Sequence, residues 1–279
     1  MGENSHQQVW REITVNSNKP SIAIIGAGNV ATHLSEALHS AGYVIRQIYS
    51  RTDESAGILA EKIGCKYTTD IECVCNDADV YIVSLKDSVL NDVLPQLVEC
   101  NKEALFVHTA GSVSIDIWKG LTQRYGVLYP MQTFSKQRKV DFGNVHFFIE
   151  SNSCQDTECL KTIASSISNK VFEASSEQRK YLHISAVFAC NFTNHMYAIC
   201  EHLLEKNGLP FSSMLPLIDE TAAKVHHLSP VEAQTGPAQR NDTNIMEQHV
   251  MLLDNEPEIS RLYKEISENI HKYSIKEKL

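Results

Sequence analysis

The sequence predicts an α/β fold, a doubly wound and mostly parallel sheet, joined to a second, all-helical domain. Three observations carry this. Short apolar runs alternate with helical patterns through the first 174 residues, one of those runs ends in a glycine turn, and from Ser175 onward helical periodicity continues without strand-like alternation. The boundary is therefore placed near residue 174, with domains over 19–174 and 175–279.

Ile22-Ala23-Ile24-Ile25 is the apolar run of a central strand buried on both faces. It passes through Gly26-Ala27-Gly28-Asn29-Val30-Ala31 into a helix where Leu34, Ala37, Leu38 and Ala41 recur at helical spacing. This is a G-x-G-x-x-A version of the Rossmann dinucleotide fingerprint. Gly26 permits the tight turn, Gly28 lets the backbone approach a pyrophosphate, and Ala31 lets helix and strand pack closely. The helix start at Asn29 and Val30 presents free N–H groups to phosphates.

The second strand, over 43–49, leads into Ser50-Arg51-Thr52, where an NAD-selective site would carry an acidic residue for the ribose hydroxyls. A guanidinium flanked by two hydroxyls suits a 2′-phosphate instead, so NADP is the expected cofactor. The alternative for Arg51 is a solvated loop residue before the next helix.

A helix is expected near 53–63, a short strand near 66–67, and a strand over Asp79–Leu85 that ends in Lys86-Asp87 with a helix to about residue 98. Ala104–Val107 is the next buried strand, ending in His108-Thr109-Ala110-Gly111-Ser112. Strands over 126–129 and 145–149, a helix near 155–168 and a strand near 170–173 complete the sheet. Ligands of doubly wound sheets bind beyond the carboxyl ends of the strands, which collects the glycine turn, Ser50–Thr52, Ser84-Leu85-Lys86 and Thr109-Ala110 as cofactor contacts. His108 would border nicotinamide and substrate, unless it is a hydrogen-bonded structural histidine.

In the second domain one helix should run from about Glu177 to Lys206 and stop at Asn207-Gly208-Leu209-Pro210. Others are expected near 211–226, 243–254 and 256–275. At about 100° per residue, Lys180, His183, Asn191 and Asn194 fall on one face of the long helix. Such a polar stripe is costly to bury without partners, and a cleft facing the cofactor would supply them; a solvated face is the alternative. His183 has the acidity to protonate an alkoxide or amine, Lys180 would orient or supply charge, Asn191 would hold the reacting atom and Asn194 the substrate. In Thr235-Gly236-Pro237-Ala238-Gln239-Arg240-Asn241-Asp242, Asp242 reads as a helix N-cap. Arg240 reads as a clamp for a substrate carboxylate or as one half of a structural ion pair.

The polar N-terminus carries no apolar signal segment and no run is long enough to cross a bilayer, which points to the cytoplasm. Eight cysteines without C-x-x-C spacing suggest reduced thiols and no metal site. A net charge of −9 with dispersed Lys and Arg argues against nucleic-acid binding.

The order GAGNVATHL, YSRT, HTAGS, YPMQTF, a helix with Lys180, His183 and Asn191, and TGPAQRND resembles the NADP oxidoreductases that join a Rossmann-like domain to a helical C-terminal domain of formerly unknown function. The resemblance runs from about residue 20 over nearly the whole chain. More distantly the layout is similar to ketopantoate and pyrroline-5-carboxylate reductases and to β-hydroxyacid dehydrogenases. It implies NADPH-dependent reduction of a C=O or C=N bond in a small carboxylate, with a ketopantoate-like substrate among the candidates. It also implies a homodimer through the helical domain. The family more often carries His at the position of Tyr129 and Gly at that of Asn241, and the Lys-x-x-x-Asn pair of β-hydroxyacid dehydrogenases is absent, since Ile184 follows Lys180 by four. The rival readings are a non-catalytic NADP-binding redox sensor and a deazaflavin-linked reduction of NADP.

Overall fold

The computed structural model describes residues 19–276, so the polar N-terminal stretch of residues 1–12 lies outside the described residues. The chain divides into two compact units between Cys190 and Asn191, later than the boundary placed near 174.

The first unit is an eight-stranded sheet. Its strands are β1 (Ile22–Ile25), β2 (Ile45–Tyr49), β3 (Lys66–Thr68), β4 (Val80–Val83), β5 (Leu105–His108), β6 (Tyr125–Met131), β7 (His146–Ser151) and β8 (Lys170–Glu173). The order is β3-β2-β1-β4-β5-β6-β7-β8, and only β6 and β7 pair antiparallel. The strand order reverses between β1 and β4, which opens a crevice at their carboxyl ends, the ligand position of a Rossmann fold. All four residues of β1, β4 and β5 are buried, as their unbroken apolar runs require.

Helices α1 (Asn29–Ser40), α2 (Asp53–Ile63), α3 (Leu90–Leu97) and α4 (Cys154–Ser165) cover the sheet. Leu34, Leu38, Leu59, Leu160 and Ile163 pack on Ile22, Ile24, Ile82 and Val107. Leu90, Leu94, Leu97 and Trp118 pack with Ala23, Ile25, Tyr81 and Phe106.

Beyond the sheet comes α5 (Ser176–Ala186), capped by a reciprocal pair in which the Ser175 hydroxyl accepts from Gln178 N–H while the Gln178 side chain accepts from Ser175 N–H. The single helix expected over 177–206 is three pieces: α5, a π-helical stretch over Val187–Phe192, and α6 (Thr193–Lys206). A π stretch closes i→i+5 bonds and turns less per residue, so the 100° spacing that aligned Lys180 and His183 with Asn191 and Asn194 does not carry through it. This corrects the four-residue stripe.

The second unit continues with α7 (Leu215–Lys224), the short α8 (Pro237–Arg240), α9 (Thr243–Leu252) and α10 (Pro257–Lys276). Asp242 caps α9, its carboxylate accepting from Ile245 N–H at 3.4 Å. Asn241 before it takes the left-handed conformation at φ 56°. Among the described residues no helix is long and apolar enough to cross a membrane.

Candidate active site

The glycine turn is built as the fingerprint requires. Gly26 has φ +127°, its N–H donates to Tyr49 O at 2.7 Å, and an added Cβ would stand 2.4 Å from the Ser84 carbonyl oxygen. Only glycine lets β1 turn this close to the end of β4. Gly28 is the N-cap of α1, makes no side-chain cap bond, and a Cβ there would meet nothing within 4 Å. No acidic residue occupies the first turn of α1. Open space, free N–H groups and the positive end of the helix together fit a pyrophosphate. Val30 lies in that turn, and Asn29 Nδ2 donates to Phe134 O at 2.8 Å.

At the end of β2, Ser50 N–H donates to Thr68 O, while Arg51 and Thr52 are exposed, and Arg51 makes no ion pair among the described residues. The first carboxylate after β2, Asp53, opens α2 and accepts from the Tyr67 hydroxyl at 3.2 Å. Across the crevice the Thr109 hydroxyl donates to Ser84 Oγ at 3.0 Å, tying the end of β5 to the end of β4. Leu85 packs partly on the core, Lys86 is exposed, and the Ser112 hydroxyl donates to Asp87.

His108 does not reach the surface. It is fully buried, stacks on Trp118, and its Nδ1 accepts from Ala110 N–H at 3.2 Å. Burial, reinforced by the nearby Arg179 guanidinium, pushes its pKa down to about 3, so the ring is neutral. The substrate-binding expectation for His108 is thus corrected: the ring braces the Thr109–Gly111 loop from behind.

His183, on α5, meets Tyr129, on β6. The Tyr129 hydroxyl lies 3.4 Å from His183 Nδ1, and the rings meet edge-on at 6.3 Å between centroids. Gly111 makes the approach possible, since a Cβ there would stand 2.7 Å from Tyr129 Cζ and 2.8 Å from His183 Nδ1. Burial raises the Tyr129 pKa, Arg179 opposes this, and Cys190 adds to it; the hydroxyl holds its proton at neutral pH.

One turn before His183 on the same face, Arg179 is fully buried. Its guanidinium donates to Glu150 Oε2 at 2.5 Å, to Val113 O at 2.6 Å and to Ser176 Oγ at 3.2 Å. The Ser176 hydroxyl in turn donates to Glu150 Oε2 at 2.7 Å and accepts from Ile115 N–H at 2.9 Å. These bonds fasten the start of α5 to β7 and to the segment after β5, which sets where His183 stands. Lys180 does not supply this charge. Its ammonium pairs with Glu177 at 2.7 Å on an exposed face, so the buried cation behind His183 is its neighbour Arg179.

Asn191, Asn194 and Arg240 belong to the second unit and are exposed. Among the described residues Arg240 makes no ion pair. Tyr129, Gly111, Arg179 and Glu150 were not singled out from the sequence as site residues. The available signal was the position of Tyr129 ahead of Pro130 at a strand end.

A strand-order reversal with a glycine turn and an open helix N-terminus at its carboxyl end has the form of a dinucleotide cradle. The family described as "NADP oxidoreductase coenzyme F420-dependent" matches residues 21–111, and a domain of unknown function, DUF2520, matches 145–270. The crystal structure of a candidate NADP oxidoreductase from Bacteroides fragilis is 55% identical, with a TM-score of 0.88 over 91% of this chain and 98% of that one. The chain belongs to this family of NADP oxidoreductases.

Similarity of fold extends to an imine reductase of Myxococcus stipitatus in complex with NADP+, at 14% identity and TM-score 0.66 over 92% of this chain and 93% of that one. It extends also to a pyrroline-5-carboxylate reductase of Coxiella burnetii, at 19% identity and TM-score 0.55 over 93% and 98%. Among curated proteins, glucose-fructose oxidoreductase domain-containing protein 2 of Xenopus laevis is 25% identical over 97 residues, 34% of this chain. The chain thus spans 25% of the length of that curated relative.

Proposed function

We propose that this protein uses NADPH to reduce the C=N or C=O bond of a small imino or oxo carboxylate, a ketopantoate-like acid among the candidates. The observation that carries the reading is the Tyr129–His183 pair at 3.4 Å across Gly111. A hydroxyl that holds its proton beside an imidazole is chemistry suited to delivering a proton, which supports the reading.

Gly26, Gly28, Asn29 and Val30 would hold the pyrophosphate, and Ser50, Arg51 and Thr52 the 2′-phosphate. Ser84, Leu85, Lys86, Thr109 and Ala110 would line the crevice toward the nicotinamide. When bound, the reduced nicotinamide supplies a hydride. Tyr129 and His183 share the proton that completes the reduction, with His183 Nδ1 able to replenish the hydroxyl. Arg179 and Glu150 hold α5 so that this pair stays in register.

The rival reading, an NADP-binding module without turnover, draws on the exposure of Lys180, Asn191 and Asn194. The two readings separate in one assay, NADPH oxidation followed at 340 nm with pyrroline-5-carboxylate, ketopantoate and related acids. Turnover that disappears in His183→Ala or Tyr129→Phe supports the reductase. NADPH binding without consumption of any acid in the panel favours the module.

The same proposal includes a cytoplasmic location, supported by eight free thiols. It also includes a homodimer through the second unit. There Leu217, Met251 and Leu252 are well exposed, and Met246, Val250, Met251 and Tyr263 line a largely apolar hollow of about 540 Å³.

A further inference from the structure

Tyr129 is the inner end of a row of rings that runs across the sheet to its edge. In the antiparallel pairing of β6 with β7, Tyr129 stands opposite Phe148, and in the parallel pairing of β7 with β8, Phe148 stands opposite Phe172. Side chains alternate between the faces of a strand, so these three project from one face, together with His146, which precedes Phe148 by two. The rings meet in that order. Centroids lie 6.5 Å apart for Tyr129 and Phe148, 5.8 Å for Phe148 and Phe172, and 5.5 Å for Phe172 and His146, this last pair within 9° of parallel. All three spacings fall where aromatic rings attract one another.

The opposite face of these strands is spent on the core. Phe147, Ile149 and Val171, which alternate with the row, pack with Leu160 and Ile163 of α4. On the ring face, α5 covers only the inner end: Arg179 and Ser176 bind Glu150, two residues after Phe148, and His183 meets Tyr129. The outer end stays open. Phe148 and His146 are half-buried, and Phe172 is 46% exposed on the edge strand β8. Charge is the usual protection of a strand edge, and exposed Lys170 and Glu173 flank Phe172 there. The ring held between them adds an open apolar surface that is continuous, through Phe148, with the Tyr129–His183 pair.

We propose that Phe148 and Phe172 form a subsite for a planar apolar ring, so that the imino or oxo carboxylate reduced at Tyr129 and His183 carries an aryl group. The proposal rests on the reductase reading and narrows its substrate class. Tyr129 belongs both to the row and to the reactive pair. An aryl group one carbon from the reacting bond spans one ring spacing, which carries it from Tyr129 onto Phe148 and toward Phe172. A ring laid on two others gains from offset stacking as well as from the area it buries, and aromatic side chains are the common lining of such sites.

The test uses substrates paired so that the members differ by a benzene ring: phenylpyruvate with pyruvate, and dihydroisoquinoline carboxylate with piperideine carboxylate. NADPH oxidation is followed in wild type, in Phe172→Ala, and in Phe172→Leu, which keeps apolar bulk without the ring; thermal melts establish that all three are folded. In wild type the aryl member should have a kcat/KM about tenfold above its partner, and in Phe172→Ala the two should come within about threefold, through a higher KM for the aryl member alone. Phe172→Leu should fall between, with kcat and NADPH affinity as in wild type. Turnover without preference for the aryl member, or a preference that survives Phe172→Ala, overturns the subsite and leaves the reductase reading standing.

Binding is read apart from turnover by calorimetric titration of hydrocinnamate, an aryl carboxylate with no reducible bond, in the presence of NADP+. Its affinity should fall about tenfold in Phe172→Ala. That loss sustains the subsite even where no pair is reduced, an outcome that counts against the reductase reading alone. Hydrocinnamate that binds both proteins alike, or neither, overturns the subsite. Light scattering addresses the other occupant: a mass that drops from wild type to Phe172→Ala assigns the ring face to a second copy of the chain and overturns the substrate assignment.

Discussion

The Tyr129 hydroxyl lies 3.4 Å from His183 Nδ1, in the space that a side chain on Gly111 would fill. The contact joins a β6 residue to an α5 residue and is longer than a strong hydrogen bond. The glycine is the condition for the pair. In Gly111→Ala the new methyl would stand under 3 Å from both rings. We expect turnover to fall by about 10²-fold, the lower end for loss of a general acid, with NADPH affinity within about twofold of wild type. Tyr129→Phe should lose a similar factor, and a KM-against-kcat comparison should place both losses in kcat.

The Arg179–Glu150 pair at 2.5 Å is an ion pair with one partner sealed from solvent, the Arg179 side chain being 1% exposed and that of Glu150 19%. Removing one partner of such a pair leaves an uncompensated charge, at a cost of about 3–5 kcal/mol when both are buried; the partial exposure of Glu150 places this site toward the lower figure. Urea unfolding of Glu150→Gln should therefore show a loss near 3 kcal/mol. Arg179→Lys, which keeps the charge but cannot reach Glu150, Val113 O and Ser176 together, should show a smaller loss. Wild-type stability in Glu150→Gln would mean that α5 is held by other contacts.

Gly26 and Gly28 answer different demands, and alanine should separate them. At Gly26 the backbone is left-handed and a Cβ collides with the Ser84 carbonyl, so Gly26→Ala should lower the melting temperature by several degrees and abolish NADPH binding. At Gly28, with φ −79° and open space, the fold accepts alanine. Gly28→Ala should melt like wild type, yet bind NADPH at least tenfold more weakly, because the methyl occupies the place of the phosphate.

His108 makes stability depend on pH. Its folded pKa, about 3, lies below the ordinary 6.5, so between those values the unfolded chain takes up a proton that the folded chain refuses. Its contribution is full above pH 6.5 and is lost progressively as pH falls toward 3. His108→Asn, which keeps an acceptor for Ala110 N–H, should be less stable than wild type at pH 7.5 and show a flatter decline between pH 6.5 and 4. Parallel urea curves for the two proteins across that range would remove this assignment.

The sheet was legible because buried parallel strands write unbroken apolar runs, and the crevice was legible because Gly26 and Gly28 meet backbone demands that few residues satisfy. His183 was legible as an ionisable group on a helix otherwise rich in apolar residues. Its partner was not, since pairing with Tyr129 depends on where α5 crosses β6, which is set by the bonds of Arg179 to Glu150 and Val113. A buried arginine looks like its exposed neighbour Lys180 until its partners are known. The π stretch over Val187–Phe192 left no mark that a regular 100° spacing could detect.

The homodimer reading makes its own prediction. In the second unit Met251 is 72% and Leu252 82% exposed at the end of α9, beside the hollow between α9 and α10. Apolar side chains this open on adjacent positions are costly for a monomer and ordinary for a surface that meets another copy. Light scattering after size exclusion should give twice the 31.3 kDa chain mass for wild type. Met251→Glu/Leu252→Glu should shift the mass toward the single chain. The far-ultraviolet circular dichroism should not change, because these side chains contribute little to the packing of α9. A wild type that elutes as a single chain at micromolar concentration would refute the dimer while leaving the site of the first unit, where Tyr129 and His183 both lie, untouched.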